Sequence, residues 1–237
     1  MIIIKLARKY VGSYLFFLFF YLWTAFTTIP FLPLILLFPK LAIYNARSWS
    51  YGLLTAINLF CGVRYRVIGK ELISDSSFIV ASKHQSAWET FAFFSIFQHP
   101  SFVLKEELMK IPVFGTYLKV LNCISVKRDG SLKDLKTLLT KANSLLKEPS
   151  KQLIIFPEGT RVKYGETKEP EAGIYLLYKN LNYPIYTVSH NSGKFWHKGK
   201  ILKEAGLVEV VISKKTPLNL SKEQFLQELN KGINQLN

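Results

Sequence analysis

The sequence predicts an α/β fold: a central mixed β-sheet flanked by helices, preceded by a hydrophobic helical segment that anchors the chain to a membrane. Three observations carry this expectation. A long run near the N-terminus contains no acid or base other than tyrosine. From about residue 62 onward, short apolar runs alternate with amphipathic helices, the pattern of α/β packing. The 237 residues are 49% hydrophobic, enough to bury one substantial core and too apolar for a disordered chain. The expected division is residues 1–61 for the membrane-associated helices and 62–237 for the α/β domain.

The apolar run extends from Tyr10 to Pro39, after Lys5, Arg8 and Lys9 and before Lys40. About 20 apolar residues cross a bilayer core as a helix. The run is longer than a signal-peptide core, and no small-residue cleavage pattern follows it, so it is expected to be retained. Pro30 and Pro33 divide it. Tyr10 to Ile29 reads as one helix, whereas Phe31 to Pro39 is too short to cross and suits a return limb or an in-plane segment. Tyr51 to Gly62 is also uncharged and could pack beside the first helix. Phe16, Phe17, Phe19, Phe20, Tyr21 and Trp23 cover every helix face, which favours lipid over a buried core helix. Basic residues on both flanks, with Arg47 further on, give a weak orientation signal. They fit a hairpin or a one-sided anchor at the cytoplasmic face better than a single span.

The remaining elements follow from periodicity. Val63 to Val67 alternates as a strand, and Ser77 to Ser82 reads as a buried one. Ala87 to Phe97 is an apolar helix, Ser101 to Leu104 a short strand, and Tyr117 to Val126 contains another. Ser131 to Glu148 is amphipathic, with Leu132, Leu135, Leu138, Leu139, Ala142, Leu145 and Leu146 on one face. Gln152 to Phe156 is a strand ending at Pro157, Glu171 to Leu181 a helix, and Tyr183 to Ser189 and Leu207 to Ile212 are strands. Ser221 with Gln224 three residues on forms a capping-box pattern that starts the last helix.

The formal net charge is +15, from 31 Lys and Arg against 16 Asp and Glu. Such an excess favours a polyanionic partner: nucleic acid, an anionic membrane surface or a phosphorylated substrate. Charge alone does not choose among them. The two cysteines, Cys61 and Cys123, sit in apolar surroundings without a C-x-x-C or Cys/His cluster. A zinc site is therefore not expected, and reduced core thiols are.

Three stretches carry chemistry. Lys83-His84-Gln85-Ser86-Ala87-Trp88-Glu89 follows a buried strand and opens a helix, where open α/β sheets bind ligands. Five residues apart on one helix, His84 and Glu89 would point about 140° from each other. They meet only if His84 lies in the loop and Glu89 in the first turn. A carboxylate on one imidazole nitrogen then sets the tautomer, and the other nitrogen takes a proton from a hydroxyl. Ser86-x-x-Glu89 is equally a capping box, and these residues alone leave both readings open. Next, Phe156-Pro157-Glu158-Gly159-Thr160-Arg161 follows a strand. Gly159 permits a left-handed turn, and Arg161 offers a bidentate fork for phosphate; an ordinary solvated turn is the alternative. Last, Lys105 follows one strand, and Lys127 and Arg128 follow another, with Ile111-Pro112-Val113-Phe114-Gly115 between them. If these strand ends open on the side of His84, they add cations to one pocket. Otherwise they are solvated surface charge.

Taken together, the blocks resemble those of the glycerolipid acyltransferase family, specifically the bacterial-type 1-acylglycerol-3-phosphate acyltransferases. The family's pattern is a catalytic H-x-x-x-x-D, a second block with Lys, Phe-Gly and a basic end, an E-G-T-R block, and a later strand containing proline. Here they correspond to His84 to Glu89, Lys105 through Arg128, Glu158 to Arg161, and Tyr183-Pro184-Ile185-Tyr186-Thr187-Val188, in order over roughly residues 62–200. One departure is that Glu89 stands where the family has aspartate, so the family's geometry does not transfer directly.

The resemblance implies acyl transfer from acyl-CoA or acyl carrier protein to the sn-2 hydroxyl of lysophosphatidate at a membrane surface. It gives His84 the role of base and Glu89 that of its orienting carboxylate. Arg161 and Lys105 would hold the substrate phosphate, with Arg128 a further candidate. Glu158, Gly159 and Thr160 belong to the same phosphate-binding block. It implies no metal and no bound cofactor. Expected partners are the lysophosphatidate, the acyl donor and membrane lipid, and not nucleic acid. A different lysophospholipid acceptor is the near rival. A non-catalytic basic membrane-anchored binding protein is the distant one: its affinity would fall steeply with salt, and no single histidine would matter to it.

Overall fold

Strands that are buried along their whole length require a sheet covered on both faces, and the central strands are of this kind. The computed structural model describes residues 6–127 and 132–237. Seven strands, β1 (Val63–Ile68), β2 (Phe78–Ser82), β3 (Pro100–Lys105), β4 (Ile124–Val126), β5 (Gln152–Ile155), β6 (Ile185–His190) and β7 (Gly206–Lys215), form a sheet in the order β1-β7-β6-β2-β5-β3-β4. The sheet is mixed. β6, β2, β5, β3 and β4 run parallel, β7 is antiparallel to β6, and β1 is parallel to β7.

The period of two along each strand sends alternate residues to two separate cores. Phe78, Val80, Ile154, Tyr186 and Val188 face one core, and Ile79, Ala81, Leu153, Ile155 and Ile185 the other. The first core is closed by α1 (Ser13–Thr28), α3 (Leu41–Cys61) and α4 (Trp88–Ile96), through Phe16, Leu53, Ile57, Phe91 and Phe93. The second is closed by α6 (Leu132–Lys147), α7 (Ala172–Asn180) and α9 (Lys222–Ile233), through Leu138, Leu145, Ile174, Leu177, Phe225 and Leu229. Two short helices complete the chain order, α2 (Leu32–Leu37) and α5 (Phe114–Val120), with the single turn α8 (Ser192–Phe195) after β6. The expected capping box of α9 is fully made: Gln224 N–H donates to Ser221 Oγ at 3.2 Å, and Ser221 N–H to Gln224 Oε1 at 3.0 Å.

The N-terminal residues form a helical hairpin. A π-helical turn at Arg8–Gly12 runs into α1, and Arg8–Thr28 is the one described helix long and apolar enough to cross a membrane. The uncharged stretch from Tyr51 is only the second half of α3, a 21-residue helix that also carries Arg47. Arg47 is accommodated because its guanidinium donates to the carbonyl of Gln98 at 2.6 Å, just past the end of α4, where helix carbonyls lack partners. The hairpin is tight: a Cβ on Gly12 would lie 2.1 Å from the Phe60 carbonyl oxygen, and one on Gly52 would strike the Trp23 ring. The region from Tyr117, expected to hold a strand, begins as the last turn of α5 and becomes a strand only at Ile124–Val126.

Close backbone approach at Gly12 generates a test. Gly12→Val forces α1 away from α3 and is expected to destabilise the chain by about 1–3 kcal/mol. The loss should appear as a lower thermal midpoint in detergent, and Gly12→Ala, whose Cβ meets the same carbonyl, should lower it as well.

Candidate active site

Parallel strands bring their C-terminal ends to one edge, and every segment with candidate chemistry leaves the sheet there. Lys83 and His84 follow β2, Phe156 to Arg161 follow β5, Lys105 ends β3, and Lys127 follows β4. Register confirms a common level. Ala81 pairs with Ile155, and Phe102 with Ile154, so Lys83, Pro157 and Lys105 lie at similar height on adjacent strands.

His84 lies in the loop before α4, and Glu89 in its first turn. His84 Nδ1 stands 2.8 Å from Glu89 Oε1. An ionised carboxylate only accepts, so Nδ1 carries the proton and Nε2 keeps a free lone pair. The imidazole stacks on Phe156, ring centres 4.1 Å apart at 19°. Its side chain is 15% exposed, while that of Glu89 has no exposure.

Glu89 is also a cap. Oε1 accepts the backbone N–H groups of Gln85 and Ser86, each at 2.8 Å, and Oε2 accepts the hydroxyls of Ser86 at 2.7 Å and Ser192 at 2.9 Å. Ser86 Oγ in turn accepts the Trp88 N–H at 3.0 Å. The helix cap and the histidine contact, alternatives in the sequence, are made by one carboxylate together. Burial alone would raise the Glu89 pKa. The imidazoles of His190 and His84 and the Ser86 hydrogen bonds outweigh it and hold the carboxyl well below the usual range. His190 is fully buried, and burial pushes its pKa down against the pull of Glu89; its Nε2 lies 2.8 Å from the Lys83 carbonyl. It is therefore a neutral donor to that carbonyl.

Glu158 turns inward. It is fully buried, with Oε1 2.7 Å from Lys83 Nζ and Oε2 accepting the His84 N–H at 3.0 Å. Its carboxylate thus fastens the loop after β5 to the loop after β2. Gly159 adopts φ +63°, and the turn is closed by Lys168, which donates to the Glu158 carbonyl at 2.7 Å. Thr160 and Arg161 are half-buried beyond the turn, and Lys105 is half-buried at the end of β3. Arg128 lies outside the described residues. Between the two basic ends of that block, Val113 adopts φ +61° and ψ −60°, and the Phe114 N–H reaches the Pro112 carbonyl at 2.6 Å, a strained γ-turn for a branched residue. Among the described residues, no three His, Cys, Asp or Glu side chains group as metal ligands do.

A model of the acyltransferase family matches residues 64–191. The chain belongs to the acyltransferase family. It is 34% identical over 169 residues to the 1-acyl-sn-glycerol-3-phosphate acyltransferase of Pseudomonas aeruginosa, covering 71% of this chain and 65% of that protein. It is 30% identical over 149 residues to the protein of the same name from Borreliella burgdorferi, covering 62% and 58%. The chain thus spans less than two thirds of the length of these curated relatives. The crystal structure of the 1-acyl-sn-glycerophosphate acyltransferase PlsC from Thermotoga maritima superposes with a TM-score of 0.77 over 96% of this chain and 95% of that one, at 22% identity. That likeness establishes the shared fold.

The acyltransferase match ends at Asn191, one residue before Ser192. The periodicity of the sequence gave no sign of Ser192, because its tie to Glu89 spans 103 positions. For Lys83 the sequence does hold a sign: a lysine directly after a strand that reads as buried, beside a candidate base. His190 lies one residue beyond the strand expected at Tyr183 to Ser189 and ends β6.

The buried neutral His190 generates a pH prediction. Its pKa in the folded state lies below the ordinary 6.5, so as pH falls past that value the unfolded chain takes up a proton first. Its stabilising contribution is complete above 6.5 and drains away below it. His190→Gln, which keeps a donor but cannot titrate, is expected to flatten the loss of thermal midpoint below pH 6.5. The slope that remains includes that of His99, whose pKa is also lowered, first by burial and then by Lys151 and Arg47.

Proposed function

We propose that the chain is a membrane-bound O-acyltransferase that moves a fatty acyl group from acyl-CoA or acyl carrier protein to the sn-2 hydroxyl of 1-acylglycerol-3-phosphate, yielding phosphatidate. The observation that carries this is the His84–Glu89 pair, 2.8 Å apart, on the same sheet edge as Lys105 and Arg161. The names of the Pseudomonas and Borreliella relatives support the choice of acceptor.

In this reading Nε2 of His84 removes the hydroxyl proton, and Glu89 stabilises the imidazolium that results. The alkoxide adds to the thioester carbonyl carbon, the C–S bond breaks, and the thiolate takes the proton back from His84. Arg161 and Lys105 hold the phosphate, while Glu158, Gly159 and Thr160 set the turn from which Arg161 projects. Membrane attachment rests on α1 and α2. Tyr14, Leu18, Leu22 and Phe26, spaced along one face of α1, are exposed, as are Val11 and Ile29 beyond its two ends and Leu36, Leu37 and Phe38. The opposite face of α1, with Phe16, packs into the protein. The exposed strip faces lipid, so a lysophospholipid reaches the site from the bilayer.

His84→Ala is expected to lower kcat on lysophosphatidate by roughly 10²–10⁴-fold while vesicle binding persists. Glu89→Gln should also lose most turnover, since an amide caps a helix yet cannot stabilise an imidazolium. Full activity in either variant refutes the mechanism. Removing a charge-assisted phosphate contact worth about 1.5–3 kcal/mol, Arg161→Ala should raise KM for lysophosphatidate roughly tenfold or more. A panel of lysophospholipid acceptors tests the substrate, and inertness towards lysophosphatidate rejects it.

A further inference from the structure

We propose that the C-terminal segment after α9 is a latch that positions the base, with Lys83 and Asn234 as its positioning residues. This rests on the reading of His84 as the base and extends beyond it, since Asn234 and Asn237 lie outside the family match at 64–191.

The latch is built around a buried ammonium. Lys83 has no exposure, and its Nζ has three oxygen partners: Glu158 Oε1 at 2.7 Å, Asn234 Oδ1 at 2.7 Å and the Glu166 carbonyl at 3.0 Å. Two of these are hydrogen bonds, to Asn234 Oδ1 and the Glu166 carbonyl, and the third, to Glu158 Oε1, is an ion pair. A cation withdrawn from water is costly unless it is paired and hydrogen-bonded, so all three acceptors are under constraint. One of them, Glu158, uses its second oxygen to hold the His84 N–H at 3.0 Å. Asn234 is therefore three contacts from the backbone of the base, through Lys83 and Glu158.

Asn237 repeats the connection on the next residue. Its Oδ1 accepts from Gln85 Nε2 at 3.2 Å and from the Gly165 N–H at 3.0 Å, and its Nδ2 donates to the Glu166 carbonyl at 2.7 Å. Gln85 Oε1 accepts the Gly193 N–H at 3.0 Å, beside Ser192 and its bond to Glu89. Leu236 N–H donates to Ser189 Oγ at 2.9 Å, which fixes the segment to the end of β6. The residues on both sides of the His84 peptide are thus tied to one four-residue stretch, and none of its side chains is a candidate to touch substrate.

The geometry separates this role from general stability. Asn234→Leu keeps a similar volume and removes the acceptor for Lys83; Asn234→Asp keeps the acceptor. With lysophosphatidate and an acyl-CoA thioester in detergent micelles, the leucine variant is expected to lose roughly 10–100-fold in kcat, the scale of a displaced catalytic group. KM for both substrates should stay at the parental value, and the aspartate variant should keep near-parental kcat. Parental kcat in Asn234→Leu, or an equal loss in both variants, overturns the latch. If the leucine variant does not fold, Asn237→Ala carries the test: a lowered kcat at unchanged KM supports the latch, and a parental kcat overturns it. His84→Ala distinguishes the two levels of the argument. An inert His84→Ala with an unaffected Asn234→Leu removes the latch alone, whereas an active His84→Ala removes the base and the latch together.

Discussion

Two carboxylates in contact with His84, Glu89 and Glu158, are withdrawn completely from solvent, and the cost of dehydrating them shapes the whole C-terminal edge of the sheet. An isolated buried carboxylate would take up a proton instead of remaining charged. The chain meets the two cases by different means. Glu158 faces a buried ammonium and one backbone N–H. Among the described residues Glu89 has no lysine or arginine partner, and four neutral donors together with the imidazoles of His190 and His84 hold its charge. Dipoles of this kind keep a carboxylate ionised without placing a permanent cation beside it, so the charge remains available to an imidazolium.

Strand direction explains why so many loops reach this one place. Five parallel strands deliver five connections to the same rim, and each contributes a residue type suited to an anion or a proton. The reversal at β7 turns the chain away from that rim. β7 runs back alongside β6 and carries the following segment to α9 on the far face. From there the chain returns to the rim at Asn234. The same topology seats the hairpin of α1 and α3 on the face that carries α4, so the apolar helices and the loop of His84 share one core.

Much of this was legible in the residues. Alternation located the strands, the heptad-like leucines located α6, and Ser221 with Gln224 located the start of α9, because each is a local signal with a local cause. The His84–Glu89 contact was legible as a possibility, and choosing between contact and cap proved unnecessary, since one carboxylate does both. Illegible features share a physical character. The strand expected within Tyr117 to Val126 is there at Ile124–Val126, but α5 before it had no periodic signal in its seven residues. Arg47 broke an apolar stretch that is nonetheless one helix, because its partner is a carbonyl 51 positions away. Lys83, Ser192 and Asn234 matter through contacts across the fold, and no periodicity records such contacts.

Those separations bear on the order in which the molecule comes into being. Ser192 reaches Glu89 across 103 positions, and Asn234 reaches Lys83 across 151. Contacts so distant along the chain close late, after local helices and neighbouring strands have formed. During synthesis the apolar hairpin emerges before the sheet, and the stretch that fixes the loop of His84 emerges after it. A growing chain therefore holds its histidine long before the residues that tie down its loop are available to it.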